Sequence, residues 1–305
     1  MSSAGDVVNL PGPWRHREIS ANGARFHVAE VGEGPLVLFL HGFPTFWWTW
    51  RKQLQQFAAA GYRAAAMDLR GYGGSDRPPR GYDPLNLSGD VAGVIHALGD
   101  RSAIVIGHGW GGFLVWTTAV LHRASVRAGA VLAMPHPIRL RESLLRDPAQ
   151  ARAASYTIGY QRPWLPERRL IAADAAVVGG YLHDWSAGEW PPPDVETVFR
   201  QAIQIDNTAH CALEYYRWAI RAIPRADGRR FIAKMRADVD VPILHLHGEL
   251  DPVQLPSSSL GSGAYVTAGY RREVISGAGH FIHEEQPEIV TNLLLDWVGQ
   301  LPAHG

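Results

Sequence analysis

Short apolar runs punctuate the chain at Leu36–Leu40 (LVLFL), Arg63–Asp68 (RAAAMD), Ala103–Ile106 (AIVI), Ala128–Ala133 (AGAVLA) and Ile243–Leu246 (ILHL). None alternates with polar residues, and turn formers bound each one, a pattern that predicts strands buried on both faces of a parallel sheet. Arg25–Glu30 (RFHVAE) does alternate and predicts a strand of an antiparallel opening. Between these runs the apolar period changes to that of a helix. In Asp90–Leu98, after Ser88, the residues Val91, Val94, Ile95 and Leu98 share one face. In Pro287–Val298 a stripe of Ile289, Val290, Leu293, Leu294, Trp297 and Val298 follows a proline suited to a first helical turn. Strand and helix alternate to about Pro135 and again from Val241, which predicts an α/β fold with a doubly wound, mostly parallel sheet.

The middle of the chain breaks this rhythm. Residues 137–235 lack β-branched runs and are rich in Arg, Ala, Trp and Pro, with helical patterns at Thr197–Ile205 and His210–Ile223 and a loop at Trp190–Asp194 (WPPPD). We expect a helical lid there, inserted between core segments 1–136 and 236–305.

Composition narrows the partners. The 305 residues are 46% hydrophobic and 19% charged with zero formal net charge, so no basic footprint for nucleic acid or a membrane surface is expected. No apolar run approaches the ~18 residues that span a bilayer, and the opening MSSAGDVVNLPGPW has no signal-peptide pattern. Cys211 stands alone, which fits a reducing compartment. The expectation is a cytoplasmic protein, monomer or homodimer, whose partner is a small hydrophobic molecule. Eleven tryptophans, several near proline and histidine, point to an aromatic cavity.

The stretch AIVIGHGWGGFLVW carries the chemistry and admits two readings. Gly107, Gly109 and Gly112 spell the G-x-G-x-x-G of a dinucleotide site between strand and helix. That reading needs an acidic residue about 20 positions on, yet Phe113 to Arg141 contain no Asp or Glu. The same letters form a strand-to-helix elbow with glycine at the apex, where a nucleophile would stand. Other loops support the elbow. HGFP (His41–Pro44) follows LVLFL, so the amides of Phe43 and Trp110 are candidates for an oxyanion hole. Asp251 follows ILHL in HGELDP, and His280 sits in GAGHF, giving the order elbow, acid, histidine. Asp251 is the candidate orienting acid and His280 the general base. His280 and His283 without a third ligand do not make a metal site, and no cofactor is expected.

With these motifs in order (HGFPTFWWTW, DLRGYGGSD, GHGWGG, GELDP and GAGHF), the chain resembles the epoxide hydrolase branch of the α/β-hydrolase fold from Trp14 to Leu301. YQRPWLPERRL (Tyr160–Leu170) resembles the lid of mycobacterial epoxide hydrolase-like proteins. The resemblance implies hydrolysis of a hydrophobic epoxide through a carboxylate nucleophile, with Tyr156 and Tyr216 holding the epoxide oxygen. Pro44 and Trp47 are candidate substrate contacts, and Trp47, Trp48 and Trp50 wall the pocket or pack beneath the lid. The family pattern G-H-D-W-G-G puts its aspartate on Gly109, so the covalent route is absent. His280 and Asp251 retain the means to activate water directly. Two other classes stay open: a non-catalytic binder of small apolar molecules, and a cofactor-free lyase, isomerase or oxygenase using His280 as base.

Overall fold

The structure is a computed structural model and describes residues 6–302. One sheet contains β1 (Arg15–Ala21), β2 (Ala24–Val31), β3 (Leu36–Leu40), β4 (Arg63–Met67), β5 (Ala103–His108), β6 (Val126–Leu132), β7 (Ile243–Gly248) and β8 (Tyr270–Ile275). Their order is β1-β2-β4-β3-β5-β6-β7-β8. The pairs β1/β2 and β2/β4 are antiparallel, and all others are parallel.

The continuous apolar runs became the sheet's centre, with every residue of β3, β5 and β7 buried. Such burial requires cover on both faces, supplied by α1 (Arg51–Ala59), α2 (Pro84–Ala97), α3 (Trp110–Leu121) and, later, α11 (Ile282–Glu285) and α12 (Pro287–Gly299). β1 is an edge strand in which Ile19 alone is buried. Charge blunts this edge: Glu30 on β2 accepts hydrogen bonds from Arg15, Arg17 and Arg63. α2 begins earlier than Asp90. Asp83 caps it by accepting from the N–H groups of Leu85 and Asn86, while Ser88 lies inside the helix and bonds to the Leu85 carbonyl.

Between β6 and β7 the described residues form no strand in the sheet. They form α4 (Pro137–Arg146), α5 (Pro148–Ala153), α6 (Tyr156–Gly159), α7 (Leu165–Asp184), α8 (Pro193–Ile203), α9 (Thr208–Arg221) and α10 (Ala226–Lys234). α7 is broken at Ala172–Ala175, where Ala173, Asp174 and Ala175 take left-handed angles. This helical segment shares one continuous apolar core with the sheet through Leu182, Phe199 and Ala212. It is also hydrogen-bonded to the strand-end loops: the Tyr215 hydroxyl donates to the Arg70 carbonyl at 2.8 Å and the Gln150 amide to the Val253 carbonyl at 2.9 Å. No helix among the described residues is long and apolar enough to cross a membrane. The loops carrying His41–Pro44, Asp68–Asp76, Gly109, Asp251 and His280 all leave the carboxyl ends of strands, where open α/β sheets bind ligands.

Candidate active site

A single residue separates β5 from α3. Gly109 takes φ 53° and ψ −118°, a backbone state that side chains adopt only under strain. The surrounding glycines are held by contact. A Cβ on Gly107 would lie 2.3 Å from the Gly111 backbone, and one on Gly111 would lie 2.2 Å from the Leu40 carbonyl oxygen. Gly107 and Gly111 therefore let α3 press onto the ends of β5 and β3. Gly109 differs: its Cβ would meet nothing nearer than Gly42 Cα at 3.6 Å and His280 Nε2 at 3.7 Å. The position has room for a side chain and carries none.

His280 faces this space with a defined tautomer. Its Nδ1–H donates to Asp251 Oδ2 at 2.9 Å, which leaves the lone pair on Nε2. The other oxygen, Asp251 Oδ1, accepts the N–H groups of Val253 at 2.8 Å and Gln254 at 2.9 Å. Both side chains are nearly buried, His280 being 4% exposed. The His280 N–H donates to the Trp185 carbonyl at 2.7 Å, and His108 Nε2–H donates to the His280 carbonyl at 3.0 Å. Glu285 fastens the same loop: its carboxylate accepts from the N–H groups of Gly279, Phe281 and Ala187, each at 2.8 Å. Burial pushes its carboxyl up, against those three hydrogen bonds. Glu285 thus joins the residues flanking His280 to the end of α7.

The HGFP loop lies against the elbow, since a Cβ on Gly42 would lie 3.4 Å from Gly109 Cα. His41 Nε2 accepts the Leu69 N–H at 3.0 Å, which ties this loop to the one after β4. Buried Asp68 anchors that second loop by accepting from Trp47 N–H, Gly74 N–H and His27 Nδ1–H. Burial alone would raise its carboxyl, but the hydrogen bond and charge from His27 prevail and lower it. Among the described residues the N–H groups of Phe43 and Trp110 donate to no protein atom.

Aromatic rings roof the elbow. Tyr216 on α9 lies edge-on to Trp110 at 5.2 Å, to Phe43 at 5.6 Å and to Tyr156 at 6.0 Å. Trp185 adds contacts to Tyr156 at 5.3 Å and to the His280 ring at 5.9 Å. Burial pushes the Tyr156 and Tyr216 phenols well up, so both remain O–H donors at working pH. A cavity of about 320 Å³ is lined by Tyr156, Tyr160, Tyr181, Leu170, Arg162 and Arg169 among others. Neither Gly109 nor His280 lines it.

The structure brings Gly109, Asp251, His280, Phe43, Trp110, Tyr156 and Tyr216 into one neighbourhood, with Pro44 buried in the adjoining loop. Trp47 is placed elsewhere. It is fully buried, its indole donates to the Val8 carbonyl at 2.8 Å, and its ring packs on Trp14, His16 and His27. This corrects its expected role as a substrate contact: it is core. His283 bonds to Thr49 Oγ1 at 2.8 Å and stacks on Trp50. Tyr181, Trp185 and Glu285 adjoin the same neighbourhood and carry no motif that marks them, while Tyr160 opens the YQRPWLPERRL stretch.

A base with a free nitrogen, unpaired amides on the HGFP loop and at the start of α3, and two phenols that keep their protons together suit attack of water on a strained or polarised C–O bond. Comparisons with known proteins point the same way. The family model of the alpha/beta hydrolase fold matches residues 35–287. Epoxide hydrolase 3 of Xenopus tropicalis is 34% identical over 91% of this chain and 75% of its own. Epoxide hydrolase A of Mycobacterium tuberculosis is 30% identical over 92% of this chain and 96% of its own. Among solved structures, an epoxide hydrolase from an endophytic Streptomyces superposes with a TM-score of 0.84 at 28% identity, covering 95% of this chain and 97% of that one.

Proposed function

The chain belongs to the α/β-hydrolase fold family and is epoxide hydrolase-like, and from that premise we propose that it hydrates a small hydrophobic epoxide without an enzyme-bound ester. The helices of residues 137–235 act as a lid between core segments 1–136 and 236–305. The observation that carries the reading is the pairing of two facts at one point. Gly109 offers no nucleophile at the apex of the elbow, while His280, oriented by Asp251, directs a free Nε2 to 3.7 Å from where its Cβ would be.

Tyr156 and Tyr216 hold the epoxide oxygen by donating their O–H groups. His280 Nε2 removes a proton from a water as the water oxygen bonds to an epoxide carbon. The carbon–oxygen bond breaks, and the alkoxide takes a proton from a tyrosine, to which the imidazolium returns one. The amides of Phe43 and Trp110 position the attacking water by donating to its oxygen. Deleting a catalytic nucleophile costs on the order of 10⁶ in turnover in a well-studied protease, so the rate is slow beside that of an enzyme with a carboxylate.

Single-turnover incubation with terminal epoxides in ¹⁸O-water tests this. The diol gains one label and the protein none. If no epoxide yields diol while the chain still binds epoxides, the protein is a binder of small apolar molecules.

A further inference from the structure

We propose that the space at Gly109 is a binding site for a small monocarboxylate, formate before acetate, and that the bound anion attacks the epoxide in place of a side chain. The proposal rests on the reading of Gly109, His280 and the two tyrosines given above. The site stands on two independent features. The first is the start of α3, a helix of twelve residues, where the Trp110 amide is unpaired and the aligned peptide dipoles favour an anion. The second is His280, 4% exposed, whose Nε2 bonds to no protein atom among the described residues and lies 3.7 Å from the Gly109 Cβ position. Gly42 and His280 bound the space from two sides and do not fill it, since neither comes closer than 3.6 Å to a Cβ there.

A carboxylate suits this site better than a halide. One oxygen accepts from the Trp110 amide, and the other is left to react. Formate precedes acetate because a methyl group would crowd the Gly109 Cα, to which it is not bonded. One formate oxygen forms a bond to an epoxide carbon as the ring C–O bond breaks. The alkoxide takes a proton from Tyr156 or Tyr216, and water restores it. His280 then removes a proton from a second water, which adds to the formyl carbon. The imidazolium returns that proton to the diol oxygen as the ester C–O bond breaks, and the acid proton of the released formic acid neutralises the hydroxide left when water restored the tyrosine. The diol leaves with the formate oxygen, and formate leaves with the water oxygen. The sum is epoxide plus water to diol, with formate regenerated.

The experiment measures diol formation by the unmodified protein in rising formate, at constant ionic strength held with chloride, and repeats it with ¹⁸O-formate. The expected result is a saturable rise of at least about tenfold, with one formate oxygen in each diol. The Gly109→Asp variant, whose own side chain fills the space, shows no formate dependence. An unsaturable rise matched by chloride, or diol free of formate label, overturns the proposal. The formate-free arm reads the preceding proposal separately: diol labelled from water without any formate response leaves that reading standing and removes this one.

Discussion

Gly109→Ala separates backbone strain from steric crowding at the elbow. The alanine Cβ would meet only ordinary van der Waals contacts, at 3.6 Å and 3.7 Å, so its cost is conformational. Holding a side chain at φ 53° and ψ −118° costs on the order of 1–3 kcal/mol. Removing glycine's freedom from the unfolded chain offsets about 0.4–1 kcal/mol. At mid-range values the net expectation is a loss of about 1–2 kcal/mol. With a urea slope near 3 kcal/mol/M, the unfolding midpoint falls by about 0.3–0.7 M at unchanged slope. Gly111→Ala is the internal comparison, because its Cβ would lie 2.2 Å from the Leu40 carbonyl oxygen. That backbone overlap should cost more, since α3 must move off β3. If Gly109→Ala proves as stable as the parent or more so, the elbow is not strained. If it costs more than Gly111→Ala, the space beside it is not open.

Acid should unfold the protein through its buried imidazoles. Burial lowers the pKa of His136 to about 3 and holds His108, His245 and His283 well below 6.5. The unfolded chain therefore binds protons first, and stability is lost as pH falls below about 6.5. At pH 5 the loss is about 2 kcal/mol for His136 alone, and His108, His245 and His283 add to it in the same direction; a urea midpoint that stays flat from pH 7 to pH 5 contradicts this. Glu285→Gln places a donor among three N–H groups. It should cost about 1–3 kcal/mol and speed amide exchange at Ala187, Gly279 and Phe281, whereas unchanged exchange there would show that the clamp is idle. Asp251→Asn should keep the fold while reducing diol formation by about 10²–10⁴, through loss of the orienting carboxylate; an unchanged rate in a folded variant would remove His280 from the reaction.

The strands β3 to β7 were legible because burial on both faces leaves a continuous apolar run. β1 was not, because an edge strand that buries Ile19 alone reads as polar chain. The start of α2 lies at the Asp83–Pro84 cap, ahead of the apolar stripe that begins at Val91 and marks the helix in the sequence. The elbow, Asp251 and His280 could be read from sequence because short loops at strand ends confine them. Trp47 could not, since a turn crowded with aromatics (Phe46, Trp47, Trp48 and Trp50) does not show which ring faces inward, and this one turns into the core beside Trp14. Tyr181 and Trp185 are placed by the tertiary fold of the helical segment, where no local spacing sets them apart. Glu285 is equally silent in sequence, because its role depends on Ala187 arriving from a distant helix end.

The most direct test of the account is the turnover of a terminal epoxide by Gly109→Asp. If the rest of the site is ready and lacks only a nucleophile, kcat/KM rises by at least about 10³, within the ~10⁶ that such a group supplies elsewhere, and single turnover in ¹⁸O-water labels the new carboxylate. A folded Gly109→Asp protein no faster than its parent, with no label in the aspartate, would contradict the account.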